Sequence, residues 1–173
     1  VLDPPDGARE VQETARAAHV PVRIASHGQA RRFGDAVVQV LHPDIPVPVP
    51  GAGDGTSAND ASVVLLLDVS GVRILLTGDL EPPGQAEIAR RLPDLRVDVV
   101  KVPHHGSAHQ EKSWLTSLGA DFALVSVGAD NDYGHPAPAV VEALEGGGAD
   151  VLRTDQAGDV AVVRRDGVTT IVR

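Results

Sequence analysis

Ala61-Ser62-Val63-Val64-Leu65-Leu66-Leu67-Asp68-Val69-Ser70-Gly71-Val72-Arg73-Ile74-Leu75-Leu76-Thr77-Gly78-Asp79 is the run on which the fold turns. Ala61 to Asp68 is nearly all Val and Leu, Ser70-Gly71 supplies a turn, and Val72 to Thr77 returns. Apolar residues on consecutive positions predict strands covered on both faces. Downstream, Gln85 to Leu92 has helical spacing and stops before Pro93, and Val97 to Val102 is another buried strand ending at Pro103. Gln110 to Leu118 reads as a helix capped by Gly119, Phe122 to Val127 as a strand, and Pro136 to Leu144 as a helix stopped by Gly146-Gly147-Gly148. Ala149 to Arg153, Asp159 to Arg164 and Thr169 to Arg173 read as strands, the last two joined as a hairpin across Arg165-Asp166-Gly167-Val168.

Upstream, a Pro-Pro-Asp-Gly turn leads into a helix over Ala8 to His19. Val22 to Ala25 and Ala36 to Leu41 read as short strands around the turn Ser26-His27-Gly28. Residues 43 to 58 hold four prolines and three glycines without periodicity, which predicts a surface loop. The alternation of strands and helices predicts an α/β domain with a mixed sheet.

A chain of 173 residues suffices for one domain with a real core. Aromatic residues make up only 2%, so that core is built from Val, Leu, Ile and Ala. The net charge of −9 excludes a surface that is attractive to phosphate backbones throughout. A nucleic-acid substrate would need bound cations or a local basic patch. Without cysteine there are no disulfides or thiolate metal sites, so any metal falls to His, Asp, Glu or Asn. No apolar run approaches the roughly 20 residues of a membrane span, and no signal-peptide pattern opens the chain. A start at Val1 and the lack of any Met suggest a fragment of a longer protein.

The chemistry-bearing residues follow strands. Asp79 ends one, His104-His105-Gly106-Ser107 follows another, and Asn131, Tyr133, Gly134 and His135 come soon after a third. Open α/β sheets bind ligands at the carboxyl ends of their strands, so these groups converge if the strands are parallel neighbours. Asp79 is either a turn residue or a carboxylate able to hold a cation on each oxygen. On a loop after proline, both imidazoles of His104 and His105 can face one site. One would bind metal while the other contacts phosphate or acts as general acid. Gly106-Ser107 could cap the next helix or hold an anion on its N–H groups. His135 precedes Pro136 at a predicted helix start, whose positive end would keep the imidazole neutral. His19, His27, His42 and His109 are isolated and read as structural or exposed.

The runs Asn59-Asp60-Ala61-Ser62-Val63-Val64-Leu65, Ile74-Leu75-Leu76-Thr77-Gly78-Asp79 and Val100-Lys101-Val102-Pro103-His104-His105-Gly106-Ser107 occur in that order. Ser126-Val127-Gly128, Asn131, Tyr133-Gly134-His135-Pro136 and Arg153-Thr154-Asp155 follow, with Gly158 after them. Together they resemble the C-terminal part of the metallo-β-lactamase-like domain of ComEC-type DNA-uptake proteins. The resemblance implies an αββα sandwich, of which residues 1 to 173 would form one partial domain. It implies a metal-dependent phosphodiesterase or nuclease, with Zn or Mn as the divalent metal and DNA as substrate. The membrane channel would be another portion of the same polypeptide, held in the cytoplasmic membrane with this domain on its extracytoplasmic side.

On this resemblance Asp79 and His105 are metal ligands, and His104, His105 and His135 are catalytic. Ser107, Asn131 and Tyr133 bind substrate. The family's His-x-His-x-Asp-His motif occurs nowhere in the chain, and no His stands near Asn59 and Ser62, where many relatives place a ligand. The chain alone is therefore expected to bind metal weakly and to be inactive. The alternatives are a hydrolase of the same fold acting on phosphocholine or a small phosphodiester, and a non-catalytic module that lost its metal site.

Overall fold

A computed structural model describes residues 5–44 and 56–172. Its centre is a seven-stranded mixed sheet in chain order, and the described residues also form six α-helices. Strands β1 (Ala30–Phe33), β2 (Ala36–His42), β3 (Val64–Val69) and β4 (Val72–Leu76) form an antiparallel meander. From β4 the sheet continues in parallel through β5 (Val99–Lys101), β6 (Phe122–Val125) and β7 (Asp150–Arg153). The Ser70-Gly71 turn forms as expected. Both residues have positive φ, and the Gly71 N–H donates to the Asp68 side chain at 2.9 Å.

The parallel strands are joined by α3 (Pro82–Arg91), α4 (Lys112–Ser117) and α5 (Pro138–Gly146). Ile88 of α3, Trp114 and Leu115 of α4, and Val140 and Leu144 of α5 share one buried cluster with Leu75, Val100 and Ala123. Those three strand residues are register partners, so all three helices cover the same face of the sheet. Crossovers of one hand that always step in the same direction place their helices on one face. The opposite face carries the register partners Ile74, Val99 and Phe122, and then Leu76, Lys101 and Leu124. Ile74, Phe122, Leu76 and Leu124 remain only partly buried.

Helix α1 (Pro5–Ala17) precedes the sheet, α2 (Thr56–Asp60) leads into β3, and α6 (Thr154–Ala157) follows β7. Strands β8 (Ala161–Arg165) and β9 (Val168–Val172) form the expected hairpin as a separate sheet.

Two expectations fail here. Val22 to Ala25 is not a strand. The edge position belongs to Ala30–Phe33, which the short Gly34-Asp35 turn delivers directly against β2. Val22 and Ile24 stay 51% and 75% exposed, so their apolar pattern had no sheet to join. The loop expected over 43 to 58 contains α2 at its end, while residues 45–55 lie outside the described part.

Candidate functional site

Three neighbouring parallel strands end at one rim. The chain leaves β4 at Thr77-Gly78-Asp79, β5 at Val102-Pro103-His104-His105, and β6 at Ser126-Val127-Gly128. Hydrogen bonds between the loops set their spacing. The Thr77 hydroxyl, fully buried, donates to the Lys101 carbonyl at 2.6 Å. The His104 N–H donates to the Gly78 carbonyl at 3.2 Å. The Asp79 N–H donates to Ser62 Oγ at 3.1 Å.

The histidine loop, Pro103–Gly106, is a kinked turn whose two central residues are not helical. His104 (φ 45°) and His105 (φ 53°) are both left-handed, and Gly106 follows at φ 82°. For residues other than glycine such a conformation costs about 1–3 kcal/mol each, so the surroundings must impose it. A brace of amides does so. Buried Gln85 donates to Gln110 Oε1 at 2.7 Å, and Gln110 donates to the Pro103 carbonyl at 3.0 Å. The result defeats strand alternation. His104 and His105 lie edge to face with ring centroids 6.3 Å apart, and His135 packs on His104 at 5.7 Å.

The two adjacent imidazoles are held differently. His105 Nδ1 lies 2.6 Å from the Ser126 carbonyl. A carbonyl only accepts, so Nδ1 carries a proton, and in the neutral ring Nε2 is left with a lone pair. Nε2 faces Asp79 Oδ1 at 3.6 Å. His104 Nδ1 instead meets Glu81 Oε1 at 2.7 Å. Lys101 Nζ lies 3.7 Å from Asp79 Oδ1 and donates to the Gly78 carbonyl at 2.9 Å. Burial holds the Lys101 ammonium below its usual range, against the opposing pull of Asp79.

His135 sits with these groups but not at a helix start. Helix α5 begins at Pro138, because the Ala137 N–H is taken by the Gly106 carbonyl at 2.8 Å and Ala137 is extended. The His135 imidazole is held below its usual range chiefly by desolvation, then by His104 and His105, while Asp79 opposes. The expected direction is right and the expected cause, a helix end, is not. Tyr133 is 84% exposed and stacks on His135 at 5.9 Å. The Asn131 side chain is engaged within its own loop: it donates to the Gly128 and His135 carbonyls and accepts from the His135 N–H. An open cleft of about 390 Å³ is lined by His105, Ser126, Asn131, Tyr133, His135 and Thr154.

Ser107 does not cap a helix, since α4 starts only at Lys112. It is buried, its N–H donates to the His104 carbonyl at 2.8 Å, and its Oγ accepts from the His109 N–H at 3.2 Å. Its role here is to close the histidine turn. Of the histidines read as isolated, His42 is buried 4.0 Å from Glu87, His27 pairs with Asp44 at 3.0 Å, and His109 stays exposed 4.0 Å from Glu81.

Sequence reading missed Glu81 and Lys101. Each stands two or three residues from a residue already singled out, Glu81 in the loop after β4 and Lys101 at the end of β5, and that proximity was the available signal. Asn59 and Ser62 also reach the site, Asn59 donating to Glu81 at 3.4 Å.

The fit to a divalent cation is partial. Ligand bonds of roughly 2.0–2.1 Å at ordinary angles place two donors roughly 3.3–3.6 Å apart. Asp79 Oδ1 and His105 Nε2 match that separation, and the Ser126 carbonyl behind His105 is the kind of partner that orients a ligating imidazole. Among the described residues, no three His, Asp or Glu side chains are grouped to enclose an ion.

No family model matches the chain. It is 33% identical over 171 residues to ComE operon protein 3 of Bacillus subtilis, across 98% of this chain and 21% of that protein. It is 32% identical over 102 residues to competence protein ComA of Neisseria gonorrhoeae, and 35% identical over 105 residues to recombination protein 2 of Haemophilus influenzae. Those matches cover 58% and 60% of this chain, and 15% and 13% of the two relatives. The chain thus spans about a fifth of the first relative's length and less of the other two. By this similarity over nearly its whole length, the chain belongs to the ComEC-type competence proteins.

Proposed function

We propose that this chain supplies part of a metal-dependent phosphodiesterase that acts on DNA within a DNA-uptake protein. The observation that carries the reading is the meeting of Asp79, His104, His105 and His135 at the ends of adjacent parallel strands, with His105 Nε2 3.6 Å from Asp79 Oδ1. The likeness to competence proteins supports DNA as the substrate class. A fold reading accompanies it. With helices on one sheet face and half-buried apolar residues on the other, the domain has two layers of a metallo-β-lactamase-like αββα sandwich.

In this reading Asp79 and His105 hold the cation, Zn or Mn. When bound, the cation polarises a phosphoryl oxygen and lowers the pKa of water. The remaining roles belong to side chains. His104 or His135 takes the proton of the attacking water and passes it to the leaving oxygen as water's oxygen bonds to phosphorus and the P–O bond breaks. Tyr133, exposed and stacked on His135, offers a base a flat surface to lie on. Because the chain carries −9, phosphate contacts fall to the cation and these imidazoles rather than to a broad basic surface.

The test uses the longest polypeptide that contains this chain. With Mn²⁺ or Zn²⁺ it should cleave DNA, and Asp79→Ala should reduce cleavage to background. Failure with every divalent metal, together with no effect of Asp79→Ala, sinks the hydrolase reading. The isolated chain is expected to be inactive under the same conditions.

A further inference from the structure

Glu81 has no place in the function described above, yet it is one of the few buried ionisable side chains among the described residues, 6% exposed. It occupies the residue before α3, where a carboxylate commonly caps the free N–H groups of a helix, but its side chain makes no such bond. Only its backbone carbonyl serves the helix, accepting from the Gln85 N–H. The carboxylate turns the other way, to His104 Nδ1 at 2.7 Å, with His109 Nδ1 at 4.0 Å and the Asn59 amide at 3.4 Å. Asp60, close enough for Glu81 to help burial raise its pKa, adds repulsion rather than relief. Burying a carboxylate costs several kcal/mol unless it is well paired, and this one is paired with imidazole.

We infer that Glu81 is the positioning residue for His104: it accepts the hydrogen bond from Nδ1–H, locks the ring, and thereby keeps the Nε2 lone pair available beside the rings of His105 and His135. The two neighbouring imidazoles are then anchored in the same sense. His105 uses Nδ1 on a neutral carbonyl, and His104 uses Nδ1 on a carboxylate. A free neutral imidazole favours the opposite tautomer, with the proton on Nε2, so an anchor on Nδ1 is needed to reverse it. The inference rests on the hydrolase reading only for its catalytic consequence.

The test is ring-nitrogen NMR of the ¹⁵N-histidine-labelled chain at about pH 8, above the ordinary imidazole range. In the wild type, His104 should carry its proton on Nδ1, as should His105. Glu81→Ala should move the His104 proton to Nε2 and leave His105 unchanged. Glu81→Gln, whose amide oxygen still accepts, should restore the wild-type pattern. An unprotonated Nδ1 on wild-type His104 overturns the inference, and this needs no variant to fold. So does a His104 spectrum unchanged by Glu81→Ala. In the longest polypeptide, Glu81→Ala should lower kcat for DNA cleavage by about tenfold to a hundredfold with little change in KM, and Glu81→Gln should recover most of the loss. If that polypeptide cleaves no DNA, the hydrolase reading fails, while the NMR result still decides the role of Glu81.

Discussion

Gly106 shows how one residue can hold a site together. Its φ of 82° is a conformation L side chains rarely adopt, and a β-carbon there would lie 2.5 Å from Pro136 Cβ. The loop bearing His104 and His105 is thus pressed against the segment bearing His135, with room for nothing larger than hydrogen. Gly106→Ala should destabilise the fold by roughly 2–4 kcal/mol, from backbone strain plus overpacking, read as a lower denaturation midpoint. His42 is a second residue whose environment sets its behaviour. Burial pushes its pKa below the ordinary 6.5, helped by Arg91 and His27 and opposed by Glu87 and Asp44. The fold therefore favours the neutral ring, and the unfolded chain binds the proton more readily. Stability from this residue is present above about pH 6.5 and is lost as pH falls through the lower folded pKa. A pH series of urea melts should show a decline on the acid side that is shallower in His42→Gln.

At the scale of elements, the rim depends on side-chain clips between loops that the backbone ladder does not reach. Thr154, just past β7, accepts from the Val127 N–H at 2.8 Å and donates to the Val127 carbonyl at 2.7 Å. Arg153 and Asp155 flank it as a two-pronged ion pair at 3.0 and 2.5 Å. Val127 is buried, so Thr154→Val would leave two backbone groups without partners. A loss of about 1–3 kcal/mol in chemical denaturation is expected, with faster amide exchange at Val127. The strands themselves were legible because continuous Val and Leu runs have few other readings. The short Thr154–Ala157 helix was not, since four residues carry no period.

For the whole molecule, the decisive asymmetry is that α3, α4 and α5 share one face of the sheet. Leu75 lies at the centre of that contact and is fully buried. Leu75→Ala should cost about 2–5 kcal/mol, measured by equilibrium unfolding. No helix among the described residues is long and apolar enough to cross a membrane. The acidic balance of the chain makes Lys101 notable, as a partly buried cation placed beside the carboxylate of Asp79.

The order of strands and helices from β3 to β7, the turn at Ser70-Gly71, the closing hairpin and the strand ends that carry polar residues were all determined by local sequence, because periodicity and turn chemistry act over a few residues. So was the candidacy of Asp79, His104, His105 and His135. What each would do was not. Only the tertiary structure set Ser126, 21 residues away, behind His105, and Glu81, 23 residues away, behind His104. It also replaced the helix end expected beside His135 with desolvation, joined by two imidazoles, and gave the sheet edge to Ala30–Phe33 rather than to Val22 to Ala25. An imidazole's role follows from the partner on its other nitrogen, and strand pairing follows from what lies alongside. Both are contacts across space, which no local pattern encodes.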